Sequence, residues 1–203
     1  MIHTVTYLNL RPQTTAAALK GVERWLRGEG RDGRLFACWY SKLGQVNRIL
    51  VWHGFETEAE LMRRQIALAR SPDPYGAAEY LVGLSSNVFH EIDFIGTASV
   101  DARGPLFEVR DYVMRLDGLT NLLDLWRAGL PARLNVAPWV TAMYSLTGAA
   151  PRVLHIYPWA SLEQRSDVRD RAQSVGWPPR DAPKHIGRQE ATIYLASALS
   201  PLH

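Results

Sequence analysis

One cysteine, Cys38, stands in the 203 residues, so no disulfide can close within the chain and a disulfide-stapled secreted fold is excluded. Lysine is nearly as scarce: Lys20, Lys42 and Lys184 are the only three, and arginine carries the rest of the positive charge. The net charge is only +3, and bases interleave with acids, as in Arg63 and Arg64 beside Glu58 and Glu60, or Arg165, Arg169 and Arg171 beside Asp167 and Asp170. A nucleic-acid surface needs a patch of one sign, so nucleic acid is not an expected partner. No apolar run reaches the ~20 residues of a membrane span, and residues 1–11 lack the basic-then-apolar order of a secretory leader. The expectation is a cytoplasmic protein with no membrane partner.

Cofactor motifs are missing as well. The six histidines, His3, His53, His90, His155, His185 and His203, have no short ligand spacing to a carboxylate or thiol, so no metal is expected. Gly28-Glu29-Gly30 lacks the trailing glycine of a phosphate loop and follows a helical pattern instead of a strand. No nucleophile elbow is present. The expected cofactor complement is none.

What the chain does contain is a match to itself. Tyr40-Ser41 and Gly44 recur as Tyr144-Ser145 and Gly148, and Arg48 and Leu50 as Arg152 and Leu154, all at an offset of 104. Val5 meets Val109, Arg11 meets Arg115, Leu19 meets Leu123, Pro74 meets Pro178 and Gly83 meets Gly187 at the same offset. Helix-start signals fall in phase too: Thr57-Glu58-Ala59-Glu60 and Ser161-Leu162-Glu163-Gln164 are both capping boxes, a hydroxyl at N-cap with an acid or amide at N3. The match predicts two copies, residues 1–95 and 105–203, joined by a linker over 96–104.

Alternation and helical periodicity give each copy the order β-α-β-β-α-β. In the first, strands are expected over 3–11, 35–41, 48–55 and 87–95. Helices are expected over 14–27, capped by Thr14, and over 57–69, with Met62, Ile66 and Ala69 inward. In the second, strands are expected over 107–115, 139–145, 152–159 and 191–199, and helices over 119–130 and 162–175. This order is the ferredoxin-like unit: an antiparallel sheet with both helices on one face. The bare face must be covered. The expected fold is therefore α+β, two tandem ferredoxin-like domains whose sheets face each other as a barrel with helices outside.

At this point the residues resemble a known family. Phe107-Glu108-Val109-Arg110-Asp111-Tyr112, the run Arg152-Val153-Leu154-His155-Ile156-Tyr157 with Trp159, Ser161 to Arg165 and Arg169, and the ending Leu199-Ser200-Pro201-Leu202 are similar to NIPSNAP domains. The likeness spans about Phe107 to Leu202. It is weaker in the first copy, where Thr4, Thr6 and Leu8 replace the Glu-Arg-Tyr set. The resemblance implies the dimeric α+β barrel superfamily, which includes cofactor-free monooxygenases, lactone isomerases, polyketide cyclases and haem enzymes.

Glu108, Arg110 and Tyr112 alternate along one strand and so share a face. Phe107, Val109 and Val113 on the other face suit a helix layer, so the polar trio is expected to point into the barrel. An acid, a fixed cation and a phenol there could bind an anionic or enolisable molecule and move its proton. His155 and Tyr157 share a face of a neighbouring strand, and imidazole suits proton transfer near neutrality. The expected catalytic set is Glu108, Arg110, Tyr112 and His155. The expected substrate-binding set is Tyr144, Tyr157, His53, Glu91 and Trp52. Glu91 or Asp93 is the expected partner of Arg110, reaching it from the first copy.

The leading expectation is a biosynthetic enzyme acting on a small molecule by cofactor-free proton transfer (isomerisation, cyclisation or elimination) or cofactor-free oxygenation. A non-catalytic ligand- or protein-binding module and a haem-binding barrel are the alternatives. Assembly as a homo-oligomer is left open.

Overall fold

Alternation along the first strand sorts its side chains to two faces. In β1 (Ile2–Leu10) Val5 and Tyr7 join one buried cluster and Leu8 and Leu10 another. There follow α1 (Thr15–Arg27), β2 (Arg34–Leu43), β3 (Arg48–Phe55), α2 (Glu58–Arg70) and β4 (Leu81–Glu91). The same order runs through β5 (Leu106–Met114), α3 (Gly118–Leu134), β6 (Thr141–Ser145), β7 (Arg152–Trp159), α4 (Leu162–Ser174) and β8 (Ile186–Ala196). This computed structural model describes residues 1–96, 98 and 104–203, so the expected linker over 96–104 lies largely outside the described residues.

All eight strands form one closed antiparallel barrel, in the order β1-β3-β2-β8-β5-β7-β6-β4. Within each half the last strand lies beside the first, as the ferredoxin-like order requires. The halves join edge to edge. Trp39 and Tyr40 of β2 pair with Ala196 and Leu195 of β8, and Phe89 to Glu91 of β4 pair with Ser145 to Met143 of β6. Closure removes most of the unpaired sheet edge that each half would present alone. The lumen is filled with side chains from both halves: Trp39 stacks on Phe107 at 4.3 Å, and Leu50, Trp52, Phe89, Val109, Leu154, Ile156 and Tyr194 belong to the same cluster.

That shared lumen makes a prediction. Residues 1–95 expressed alone would bare two strand edges and an apolar face, so they should run as aggregate or oligomer in size-exclusion chromatography. A monomeric fragment with a cooperative melt would show that the halves do not depend on each other.

Both N-caps form. Thr57 Oγ1 accepts from the Glu60 amide at 3.2 Å, and Ser161 Oγ from the Gln164 amide at 3.0 Å, while Gln164 Oε1 accepts from Ala160 N. Thr14 occupies an N-cap position but donates to Arg11 O instead of capping. The inward stripe of α2 is not Met62, Ile66 and Ala69, which are exposed, but Leu61, Arg64 and Leu68, one step round the helix. The last strand of each half begins about five residues earlier than its sequence suggests. Residues 81–86 and 186–191 are largely exposed overhangs, short of core residues, and they pair only with β1 and β5. No helix among the described residues is long and apolar enough to cross a membrane.

Candidate active site between sheet and helices

The two faces of β5 are the reverse of the sequence expectation. Phe107 and Val109 point into the lumen, whereas Glu108, Arg110 and Tyr112 point outward, under α3 and α4. The cause lies in α4, Leu-Glu-Gln-Arg-Ser-Asp-Val-Arg-Asp-Arg-Ala-Gln-Ser, which buries only Val168 and Ala172. So polar a helix cannot cover an apolar sheet face, but it can cover a charged one. It does so through Arg165, which grips Glu108 with Nε on Oε2 at 2.9 Å and Nη2 on Oε1 at 2.7 Å.

Strand register brings further groups to this face. Across the antiparallel pair, Arg110 lies opposite His155 and Glu108 opposite Tyr157, so all four side chains stand on the same side of the sheet. Together with α3, α4 and the segment around Trp177 they enclose a cavity of about 220 Å³. His155, Tyr157, Trp126, Trp159, Trp177, Leu122 and Val168 line it, with Arg110, Arg133 and Tyr112 set among them. The exposed side chains of Arg169, Gln173 and Gln189 stand at its rim.

Glu108 is wholly buried and accepts four hydrogen bonds, from Arg165 twice, from Arg110 Nε at 3.0 Å and from Trp159 Nε1 at 3.0 Å. Burial alone would raise its pKa, but Arg165 and Arg110 outweigh it and hold the carboxyl at about 2. Both oxygens are occupied, so Glu108 is a fixed anion that aims Arg110 and not a proton acceptor. Arg110 also donates to Tyr112 Oη at 3.4 Å and stands 5.2 Å from the Tyr157 ring centre.

His155 is 2% exposed. Its Nδ1 lies 3.0 Å from Tyr157 Oη, and its Nε2 is buried without a hydrogen-bond partner among the described residues. Burial, then the charges of Arg110 and Arg133, push its pKa well below the ordinary imidazole value, so the ring is neutral. Burial raises the Tyr157 phenol. Among the described residues no group of three His, Cys, Asp or Glu side chains converges as a metal site.

The structure thus gathers Arg110, Tyr112, His155 and Tyr157 at one cavity, with Glu108 behind Arg110. The remaining expected residues lie elsewhere. Trp52 is in the lumen, donating to His3 Nδ1 and stacked on Phe36. Glu91 pairs with His3 at 2.7 Å and cannot be the partner of Arg110, a role that Glu108 fills; Asp93 lines no part of this cavity. Tyr144 packs near His90 and not on the cavity. His53 belongs to the first half, where burial and then Arg64 lower its pKa to about 3.

In the first half the space equivalent to the cavity is filled. Thr6, placed on β1 as Arg110 is on β5, accepts from Tyr75 Oη at 3.0 Å. Tyr75, 1% exposed, packs on Trp25, over which Arg64 lies at 4.2 Å. Gly21 lets α1 meet this turn backbone to backbone, since a side chain there would collide with the Gly76 oxygen.

Comparison with known proteins agrees with this architecture. Residues 107–201 match the NIPSNAP family model. An anthrone oxidase-like protein superposes with a TM-score of 0.71 at 9% identity, over 97% of this chain and 91% of its own. A candidate monooxygenase from Lactobacillus acidophilus superposes at 0.66 with 7% identity, over 96% and 92%. A NIPSNAP family protein from Agrobacterium tumefaciens aligns with 53% of this chain and 98% of its own at 23% identity and a TM-score of 0.44. Among curated proteins none matches significantly.

Proposed function

Taking as premise that residues 107–201 are a NIPSNAP domain, we propose that its cavity is the active site of an enzyme that removes a proton from a small, partly apolar molecule. Proton removal is the step that isomerisation, cyclisation and cofactor-free oxygenation of an activated ring have in common. The observation that carries this reading is His155: a neutral imidazole in an aromatic-lined cavity, with Nε2 unpartnered and two guanidiniums beside it.

With its proton on Nδ1, held by the Tyr157 oxygen, the ring presents a lone pair at Nε2. The charges that weaken this base in the empty site favour the reaction once it starts. As the substrate becomes an anion, Arg110 stabilises it, and the new negative charge restores basicity to His155. Tyr112, bonded to Arg110, can donate to the oxygen where charge gathers. Two proteins of the same fold are named a candidate monooxygenase and an anthrone oxidase-like protein, which supports oxygenation as one of the reactions that could follow proton removal.

Anthrone is a suitable probe. Exchange of its methylene protons for deuterium, followed by NMR, should be faster with the protein than in buffer. In His155→Phe the acceleration should fall by about a hundredfold or more, the usual share of a positioned base. Equal rates with wild type and His155→Phe would overturn the reading.

A further inference from the structure

Two features of the cavity remain unexplained by a neutral apolar substrate. No Asp or Glu is among the residues lining it, whereas Arg110, Arg133 and Arg169 are. Arg169 is exposed at the rim, and Arg110 has Glu108, but Arg133 is 2% exposed and forms no ion pair among the described residues. Its Nη1 donates to Ala137 O at 2.6 Å, closing the end of α3, and its guanidinium carbon stands 5.2 Å from the Tyr157 ring centre. A buried cation without a counter-ion is costly, and proteins keep one where a ligand completes it.

We infer that the substrate carries a permanent carboxylate, bound by Arg133, in addition to the acidic group that faces Arg110 and His155. Arg110 and Arg133 both lie 5.2 Å from the centre of one tyrosine ring, so the two guanidinium carbons are within about 10 Å of each other. That upper limit is within the reach of a single flat ring system with a carboxylate at one end and a phenol, enol or activated methylene at the other. The walls agree with flatness, for Trp126, Trp159 and Trp177 line the same cavity as the two cations and offer aromatic surface. Glu108 cannot serve in place of the ligand's carboxylate, because its two oxygens are already divided among Arg110, Arg165 and Trp159. The inference rests on the proposed active site, and it adds a specificity-determining residue and a substrate class to it.

Three probes separate the possibilities: 4-hydroxybenzoate, its neutral isostere 4-hydroxybenzamide, and phenol, which lacks the para group altogether. Calorimetric titration should give 4-hydroxybenzoate at least about tenfold tighter binding than 4-hydroxybenzamide, as a charge-assisted hydrogen bond in a buried site provides. Arg133→Met should abolish that preference while leaving the amide's affinity within about threefold, and Arg133→Lys should keep most of it. Thermal stability of Arg133→Met should stay close to wild type, since the lost hydrogen bond to Ala137 O is offset by removal of an unpaired buried charge. Equal affinity for acid and amide, a preference that survives Arg133→Met, or no binding of any probe at millimolar concentration would each overturn the inference. The phenolate absorbance band tests the underlying reading separately. If the acid binds through Arg133 but its phenol ionises equally in wild type and His155→Phe, the carboxylate site stands and the proton-transfer role fails. If the bound phenol ionises through His155 with no preference for the acid, the reverse holds.

Discussion

Replacing Glu108 by Gln should lower the unfolding free energy by about 3–5 kcal/mol, the usual cost of breaking a buried ion pair from one side. For a chain of this length that corresponds to a fall in Tm on the order of 10 °C. The substitution is nearly isosteric, so the loss is electrostatic. Four donors converge on the two carboxylate oxygens, and the amide nitrogen of Gln would meet one pair of them donor to donor. Arg110 and Arg165 would share their space with no anion. Replacing the whole group, with Glu108→Leu, Arg110→Met and Arg165→Met together, should leave the protein closer to wild type than the single change, because no charge is then stranded.

The pH dependence has a definite sign. The carboxyl is held at about 2 in the fold against an ordinary 4.5, so its stabilising contribution is complete above about pH 4.5. It is lost as pH falls from there through about 2. Denaturant melts at pH 7 and pH 3 should therefore show the gap between wild type and Glu108→Gln narrowing in acid. A gap of the same size at both pH values would mean that the fold does not lower the carboxyl's pKa, and a gap that widens in acid would mean that the fold raises it.

Trp39→Ala should cost about 3–5 kcal/mol, as expected for the loss of a large buried aromatic. Trp39 belongs to β2, but it reaches into the other half. It stacks on Phe107 of β5 at 4.3 Å with the rings 13° apart, lies 6.3 Å from Tyr194 of β8, and donates Nε1 to the carbonyl of Leu202 at 3.0 Å. The alanine variant leaves a void in the lumen and removes one of the two hydrogen bonds to the Leu202 carbonyl, which keeps Ser200 Oγ as a donor at 2.6 Å. Because the void lies between halves, unfolding should remain a single transition at a lower denaturant midpoint, by fluorescence and by circular dichroism alike. Two separate transitions in wild type or variant would show that the lumen does not bind the halves into one cooperative unit.

Much of this is legible in the sequence. The in-phase capping boxes mark where α2 and α4 begin, because a hydroxyl followed three residues later by Glu or Gln satisfies the first helical turn wherever it occurs. Alternation sorts Glu108, Arg110 and Tyr112 from Phe107 and Val109 without ambiguity. Which set faces the lumen is not a property of the strand, however. It depends on what each covering layer can bury. The signal was in α4, whose composition is too polar to shield an apolar sheet and whose Arg165 and Arg169, spaced i and i+4, mark the side that meets the acid. Arg133, Trp126 and Trp177 have no such local signal. They reach the cavity because α3 and the segment after α4 cross over β7, a relation set by tertiary packing alone. Glu91, His53, Trp52 and Tyr144 were polar or aromatic on plausible strands, but each has a partner or a core position elsewhere in the barrel.

The space that Tyr75 occupies in the first half has a consequence for how the two halves can change over generations. In the second half, trimming a cavity-lining side chain such as Leu122 enlarges an opening that already exists, so it alters what fits more than whether the chain folds. In the first half, trimming Tyr75, Trp25 or Val51 opens a void where none is used, and the loss falls wholly on stability. Selection for new ligands would therefore act on one half while selection for persistence acts on the other. Sequences related to this one should diverge fastest around Trp126, Gln173 and Trp177, and slowest around Tyr75.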